Sequence, residues 1–318
     1  MIRDVEGIND LSWAYRAART LQVASNLRIF DVLAEGWTPL EEVCRRCRSK
    51  PELTGKLLIA LAAMELVEKR DGRYRNAEAA EAYLVRGRAL YQGDIIAHSA
   101  SVWKIWDRLE EDARVEPQAA PDEERHRNFI LGMHNLTMAG RGELVTSAVN
   151  LSGRRKLLDV GGGPGTYSIM FCRRYPDLRA EVFDLPETVA IAREIITKEG
   201  MADRVTTKPG DWNTDEFGEG ADVVLMSNIL HGEGSQAAMK LAKARRAMVN
   251  GGVLVVQDFV LNDEKTGPLN PALFNIMVGA YSRPELFGEI ERSGFGNPQV
   301  VLSSERFGNS VITAENRG

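Results

Sequence analysis

Cysteine is scarce in this chain, three in 318 residues. Two of them, Cys44 and Cys47, form a single C-x-x-C, "CRRC", and neither a second such pair nor paired histidines accompany it. A structural zinc needs four ligands and a thioredoxin-like redox pair needs a preceding strand. The pair lies in the helical run "TPLEEVCRRC" and reads as two ordinary helix cysteines, with no metal expected. So few thiols fit a reducing compartment. Also lacking is any uninterrupted apolar run long enough to span a bilayer. The opening "MIRDVEGIND" mixes charges of both signs around no apolar core, unlike a secretion signal. These features point to the cytoplasm. Net basic charge is missing too: the formal balance is −5, which excludes wholesale attraction to nucleic acid or to an acidic membrane surface.

What is present is a soluble, globular composition, 44% hydrophobic and 27% charged, in a chain long enough for two cores. Residues 1–85 read as short helices followed by a ribbon. "NLRIFDVLAEG" has helical apolar spacing up to Gly36, and Thr38 is placed to cap a helix with Pro39 at its first position. The apolar helix after Pro51 gives way to "LVEKR", the turn "DG" and "RYRN". Three helices and a hairpin are the order of a winged helix, a fold that often binds DNA. Here the third helix is built from Leu, Ile, Ala and Met where a reading helix would carry Arg, Lys, Asn or Gln. It suits dimerisation or a lid better than a groove. Residues 86–150 read as a helical linker and pocket region, with Trp103 and Trp106 in a helix and an exposed loop over "EDARVEPQAAPDEERHRN". From 151 to 318 strands and helices alternate, and the strands are continuous apolar runs, the mark of a parallel sheet covered on both faces. The end, "PQVVLSSERFGNSVITAEN", suggests an antiparallel close.

The first strand of that region runs into "LLDVGGGPGTYS". A loop at this place sits on the carboxyl edge of the sheet, where doubly wound folds bind ligands, and glycine lets the backbone turn and a ligand come close. The dinucleotide spacing G-x-G-x-x-G fails, because Thr166 stands where the third glycine belongs. What remains is Asp159 followed by Gly161, Gly163 and Gly165. A carboxylate beside the loop suits a cationic group and repels a pyrophosphate. Asp184 ends the second strand about 20 residues on, where a carboxylate accepts ribose hydroxyls. After the third strand, Gly210, Asp211 and Trp212 offer an acceptor for an adenine amino group and a ring to cover the base. Adenine, ribose, no phosphate and a positive centre describe S-adenosylmethionine.

This set resembles the class I S-adenosylmethionine-dependent methyltransferases. With its winged-helix-like front end it resembles the small-molecule O-methyltransferases of the caffeic acid, acetylserotonin and hydroxyneurosporene type. The resemblance implies a doubly wound, mostly parallel, seven-stranded α/β sheet and a homodimer joined through the N-terminal helices. It also implies cofactor contacts at the glycine loop, Asp184, Leu185, Gly210, Asp211, Trp212 and Ser227. The family's base, just after the fourth strand, corresponds to His231, one of four histidines with His98, His126 and His134. A phenol has a pKa of about 10, so a base near neutrality is useful. Asp258, ending the next strand, matches the carboxylate that orients it. Two departures stand out: the usual His-Asp-Trp is His231-Gly232-Glu233, and a second family glutamate aligns with Ala280 across a shortened loop. Met133, His134, Phe274, Met277 and Tyr281 are candidates for the acceptor pocket, or are simply core.

The reading is methyl transfer to a hydroxyl of a small aromatic or polyketide-like molecule. Transfer to nitrogen, sulfur or carbon, or non-methylating chemistry such as hydroxylation or decarboxylation, stays open beside it. So does a winged-helix regulator that binds DNA.

Overall fold

Each apolar run of the sequence becomes an element whose buried side follows from its pattern. The computed structural model describes residues 2–115, 122–304 and 307–318. By its internal contacts the chain divides into two compact units, Met1–Ala119 with Leu261–Val278, and Ala120–Val260 with Gly279–Gly318. These bounds do not coincide with the expected breaks at 85 and 150.

The first unit begins with helices α1 (Val5–Trp13), α2 (Tyr15–Asn26) and α3 (Ile29–Leu33), a two-residue strand β1 (Thr38–Pro39), then α4 (Leu40–Cys47) and α5 (Pro51–Ala63). The hairpin β2 (Val67–Arg70) and β3 (Arg73–Asn76) turns at Asp71 and Gly72, both with positive φ, as a tight Asp-Gly hairpin requires. Helices α6 (Glu78–Tyr83), α7 (Gly93–Ser101), α8 (Trp103–Asp107) and α9 (Leu109–Ala113) follow. Thr38 does not cap α4. Its Oγ1 donates to the Gly36 carbonyl at 2.9 Å, and it pairs with Tyr74 in the sheet order β1-β3-β2. The proline after Thr38 disfavours helical backbone there, so the helix starts at Leu40.

In the second unit α10 (Asp122–Leu136) runs through a turn of π-helix, Thr137–Arg141, into α11 (Gly142–Ala148). The expected loop is therefore helical at both ends, through Ala113 and again from Asp122, because its charged residues are good helix formers. Pro117 and Pro121 lie outside the described residues. Five parallel strands follow: β4 (Lys156–Val160), β5 (Arg179–Asp184), β6 (Val205–Pro209), β7 (Ala221–Ser227) and β8 (Met248–Asp258). They are linked through α12 (Thr166–Arg174), α13 (Pro186–Lys198) and α14 (Ala237–Ala247). Helix α15 (Leu269–Val278) returns to the first unit. Helix α16 (Arg283–Arg292) and strands β9 (Phe295–Ser304) and β10 (Asn309–Asn316) complete the second unit.

The seven-stranded sheet has the order β6-β5-β4-β7-β8-β10-β9, with β10 antiparallel to both neighbours, the expected close. Leu158, Val160, Met226, Val256 and Ile312 face one layer with α14 and α16. Leu157, Val223, Leu225, Val255 and Val311 face the other, with α12 and α13. After β4 the chain moves outward to β5 and β6, then returns to β7 on the opposite side. The edge beyond β4 and β7 is therefore the switch point where the two crossovers diverge and a crevice opens.

The apolar third helix is covered within its own unit. Leu57, Leu58 and Leu61 of α5 are buried with Phe30 and Val43, and Ile276 of α15 packs on the same core. Exposed apolar residues of this unit include Val5, Ile8 and Leu11 of α1, spaced to share one helix face, and Ile95, Ile105, Trp106 and Leu109 of α7 to α9.

Candidate active site

The glycine loop leaves β4 with Gly161, Gly163 and Gly165 all at positive φ. A Cβ on Gly161 would stand 2.8 Å from the Trp212 ring, and one on Gly162 would stand 2.6 Å from the Asp159 carboxyl carbon, whereas nothing lies near Gly163. Glycine is thus required at 161 and 162 by packing, while the space over Gly163 is open to a ligand. Gly162 was missed by the alternating pattern. Its signal was the unbroken "GGG".

Asp159 packs against Gly162 of this loop. It is 1% exposed, and Ser168 Oγ donates to its Oδ2 at 2.7 Å, fastening the first turn of α12 to β4. Burial pushes its pKa to about 7, against the Ser168 hydrogen bond and aided by the charge of Asp184. Asp184, at the end of β5, accepts from the Gly163 amide through Oδ2 and from the Leu185 amide through Oδ1, both at 2.8 Å. Burial raises its pKa, opposed by those two amides, by the Thr188 hydroxyl and by His126. With about four lone-pair sites the carboxylate keeps capacity for a further donor.

On the neighbouring strand the Gly210 amide donates to the Asp184 carbonyl at 2.9 Å. Asp211 turns Oδ1 back to accept from the amide of Asn213 at 2.8 Å and its side chain at 2.9 Å. Trp212 is held from two sides. Lys243 Nζ donates to its carbonyl at 2.7 Å, and Lys240 Nζ lies 4.1 Å from its ring while donating to the Ile229 carbonyl at 2.9 Å. Burial pushes Lys240 down to about 8, with Asp258 opposing. Neither lysine was singled out from sequence, because cations spaced along an amphipathic helix look solvated.

Beyond β7, His231 Nδ1 lies 2.8 Å from Asp258 Oδ1. Asp258 is 1% exposed and also accepts from the amides of Leu230 at 2.9 Å and Phe259 at 2.7 Å. A carboxylate accepts only, so this pairing keeps a proton on Nδ1 and leaves Nε2 for chemistry. Burial alone would lower the His231 pKa. The charge and hydrogen bond of Asp258, with the Asn228 backbone, outweigh burial and the repulsion of Lys240, so the pKa is raised above 6.5. The departure at Gly232 has a packing cause. Its φ is +56°, and a Cβ there would stand 3.0 Å from the Ala280 amide nitrogen. His231-Gly232 and Gly279-Ala280 run backbone against backbone, which leaves no room for Asp at the first position.

The pocket candidates are divided between the units. Met133 and His134 lie on α10, and His134 Nδ1 is 2.8 Å from Oγ1 of Thr166, the first residue of α12 after the glycine loop. Tyr281 is 7% exposed in the core around Val160 and Met226. Phe274 and Met277 belong to α15 in the first unit, where Phe274 meets Trp13 edge-on at 6.5 Å and Met277 is exposed. Ser227 ends β7, with its hydroxyl donating to Gln257.

The glycine loop at the switch point, the carboxylate ending β5, the Trp212 ring and the histidine beyond β7 stand at the carboxyl ends of the strands of a doubly wound sheet. The comparisons supply the class. Residues 116–285 match the O-methyltransferase domain and residues 9–86 the O-methyltransferase dimerisation domain. The chain belongs to this O-methyltransferase family and is an S-adenosylmethionine-dependent O-methyltransferase. It is similar to the 3-hydroxy-5-methyl-1-naphthoate 3-O-methyltransferase of Streptomyces sahachiroi, 34% identical over 290 residues, covering 87% of this chain and 84% of that protein. It is also similar to the N,N-dimethyltransferase OxyT of Streptomyces rimosus, 31% identical across 98% and 97% of the two chains. Among solved structures, an O-methyltransferase family 2 protein from Planctomyces limnophilus in complex with apigenin superposes with a TM-score of 0.84 at 29% identity, over 99% of this chain and 97% of that one. No helix among the described residues is long and apolar enough to cross a membrane.

Proposed function

We propose that the acceptor is a hydroxyl on a small aromatic or polyketide-like molecule, that His231 is the general base and that Asp258 is its positioning residue. The observation that carries this reading is the Nδ1 contact of His231 with a buried, amide-held carboxylate. Similarity to a naphthoate 3-O-methyltransferase supports the acceptor class. The residues fit S-adenosylmethionine: open space over Gly163, spare lone pairs on Asp184 and a wall at Trp212 would hold its methionine, ribose and adenine portions. When bound, it supplies a methyl group already activated by a sulfonium. The protein's work is then to align the acceptor and to take its proton at Nε2 of His231 as the bond to carbon forms. Transfer of label from methyl-labelled S-adenosylmethionine to a panel of hydroxyaryl compounds tests this reading. Product methylated on nitrogen would favour the chemistry named for OxyT.

The match to a dimerisation domain and the exposed apolar face of α1 support a homodimer through the N-terminal helices. Light scattering giving a monomer mass would refute it.

A pH prediction follows from His231. The base must be neutral to accept a proton, so kcat is expected to rise with pH through a midpoint above 6.5, since the pKa is raised. In Asp258→Asn the raising charge is gone while burial remains, and the midpoint is expected to move to lower pH as kcat at the plateau falls. A profile unchanged in Asp258→Asn would remove Asp258 from the mechanism.

A further inference from the structure

One peptide unit just before His231 is held at both of its polar ends. The Ile229 carbonyl accepts from Lys240 Nζ at 2.9 Å, and the Leu230 amide donates to Asp258 Oδ2 at 2.9 Å. His231 follows, with Nδ1 on the other oxygen of the same carboxylate. The segment starts at Asn228, whose φ of +54° is left-handed and whose amide donates to the Gln257 carbonyl at 2.7 Å. Ammonium, peptide, carboxylate and imidazole therefore form one hydrogen-bonded chain, in which each polar group strengthens the next.

The same ammonium reaches the tryptophan wall. Lys240 Nζ lies 4.1 Å from the Trp212 ring centroid. Trp212 Cζ3 and Ile229 Cγ2 stand 2.8 and 2.9 Å from the place of the Cβ that Gly161 lacks. Gly161, Trp212, Ile229 and Lys240 are thus packed together where the turns after β4, β6 and β7 meet. Lys240 is 5% exposed, and its hydrogen bond goes to a backbone carbonyl rather than to a carboxylate. A leucine or methionine would fill this space without the desolvation cost of an ammonium, so packing alone does not account for the lysine. Lys243 has a different task. Its Nζ donates to the carbonyls of Trp212 at 2.7 Å and Asp215 at 3.0 Å, holding the backbone of the wall rather than its ring.

We infer that Lys240 is a positioning residue for methyl transfer, one that fastens residues 228–231 to the Trp212 wall so that base and wall are set in a single arrangement. Its charge has a second consequence. The ionisable groups that act on His231 are Asp258 of β8, which favours the imidazolium by charge and hydrogen bond, and Lys240 of α14, which opposes it. Asp211 and Asp215, after β6, each direct a carboxylate oxygen to a backbone amide of their own turn, at 2.8 Å. Removing the Lys240 charge therefore leaves Asp258 unopposed at His231, and the imidazole should hold its proton more tightly.

The inference rests on the roles proposed for His231 and Trp212, and its test reads the protonation of His231 itself, so the two fail separately. The experiment is an NMR titration of the S-adenosylhomocysteine-bound enzyme labelled at histidine Cε1, with His231 assigned by the signal that His231→Ala loses. Lys240→Gln keeps a donor for the Ile229 carbonyl without the charge, Lys240→Arg keeps the charge, and Lys240→Met keeps neither. His231 is expected to bind its proton about threefold or more tightly in Lys240→Gln and Lys240→Met, and as in wild type in Lys240→Arg. Plateau kcat is expected to fall about 10-fold in Lys240→Met and less in Lys240→Gln, with S-adenosylhomocysteine bound about threefold or more weakly by Lys240→Met. An anchor with a structural role alone would lower the melting temperature and leave the His231 titration in place. Any of three results would overturn the inference: a His231 midpoint unmoved or lowered in both neutral variants, a rise in Lys240→Arg as large as in Lys240→Gln, or wild-type S-adenosylhomocysteine affinity in Lys240→Met. Should Lys240→Met not fold, the Gln and Arg variants decide. A His231 signal that moves while the kcat midpoint stays would support the inference and refute His231 as the base.

Discussion

His231→Ala is expected to lower kcat by about 10²–10⁴-fold, the usual contribution of a positioned general base, while S-adenosylhomocysteine binds as in wild type. The glycine loop, Asp184 and Trp212, proposed to hold the cofactor, follow or end β4, β5 and β6, and His231 pairs instead with Asp258. The loss should depend on the acceptor. A phenol of pKa about 10 needs its proton removed during transfer, whereas a nitrophenol that is largely ionised at neutral pH does not. The deficit of the variant should therefore shrink as the acceptor becomes more acidic, until only alignment separates it from wild type. A deficit that stays constant across the acidity series would mean that His231 shapes the pocket and moves no proton. Activity at the wild-type level with an ordinary phenol would remove it from the mechanism altogether.

The residues proposed for the cofactor were far more legible in the sequence than those proposed for the acceptor, for a physical reason. Glycines at positive φ, an acid ending a strand and a histidine just beyond one are fixed by local backbone geometry, so their spacing survives as a pattern. The strands were legible because both faces of a parallel sheet are covered, which makes each one a continuous apolar run. Lys240 left no such trace. It lies in a segment whose composition reads as an ordinary helix, and it becomes unusual only when the fold buries its ammonium against a carbonyl and a ring. The contact between Gly232 and Ala280 spans 48 positions, so the altered His-Gly-Glu looked like a loss when it is an accommodation of a neighbouring backbone. Helix α15 shows the same limit. Its apolar residues looked like pocket or core, and nothing local said that they pack with α5.

Asp184→Ala is expected to abolish cofactor binding in practice, with the dissociation constant for S-adenosylhomocysteine raised by about 100-fold or more. The carboxylate does two things at once. It fixes the ligand edge of the loop by accepting from the amides of Gly163 and Leu185, and its remaining lone pairs suit the two hydroxyls of a ribose. Hydrogen bonds to a charged group contribute about 1.5–3 kcal/mol each, so losing two to the ligand corresponds to about 10²–10⁴-fold in affinity. Asp184→Asn separates the two tasks. It keeps one acceptor oxygen but turns a second N–H toward either an amide or a hydroxyl, and should bind with intermediate affinity. The raised pKa adds a direction with pH: affinity in wild type should fall as pH drops through that pKa, starting at higher pH than for an ordinary aspartate, because the protonated acid loses acceptor strength. Isothermal titration, with thermal melting of the ligand-free variants to confirm that they fold, provides the measurement. Binding by Asp184→Ala within about threefold of wild type would mean that the ribose is held elsewhere, and that this acid serves only to hold the loop.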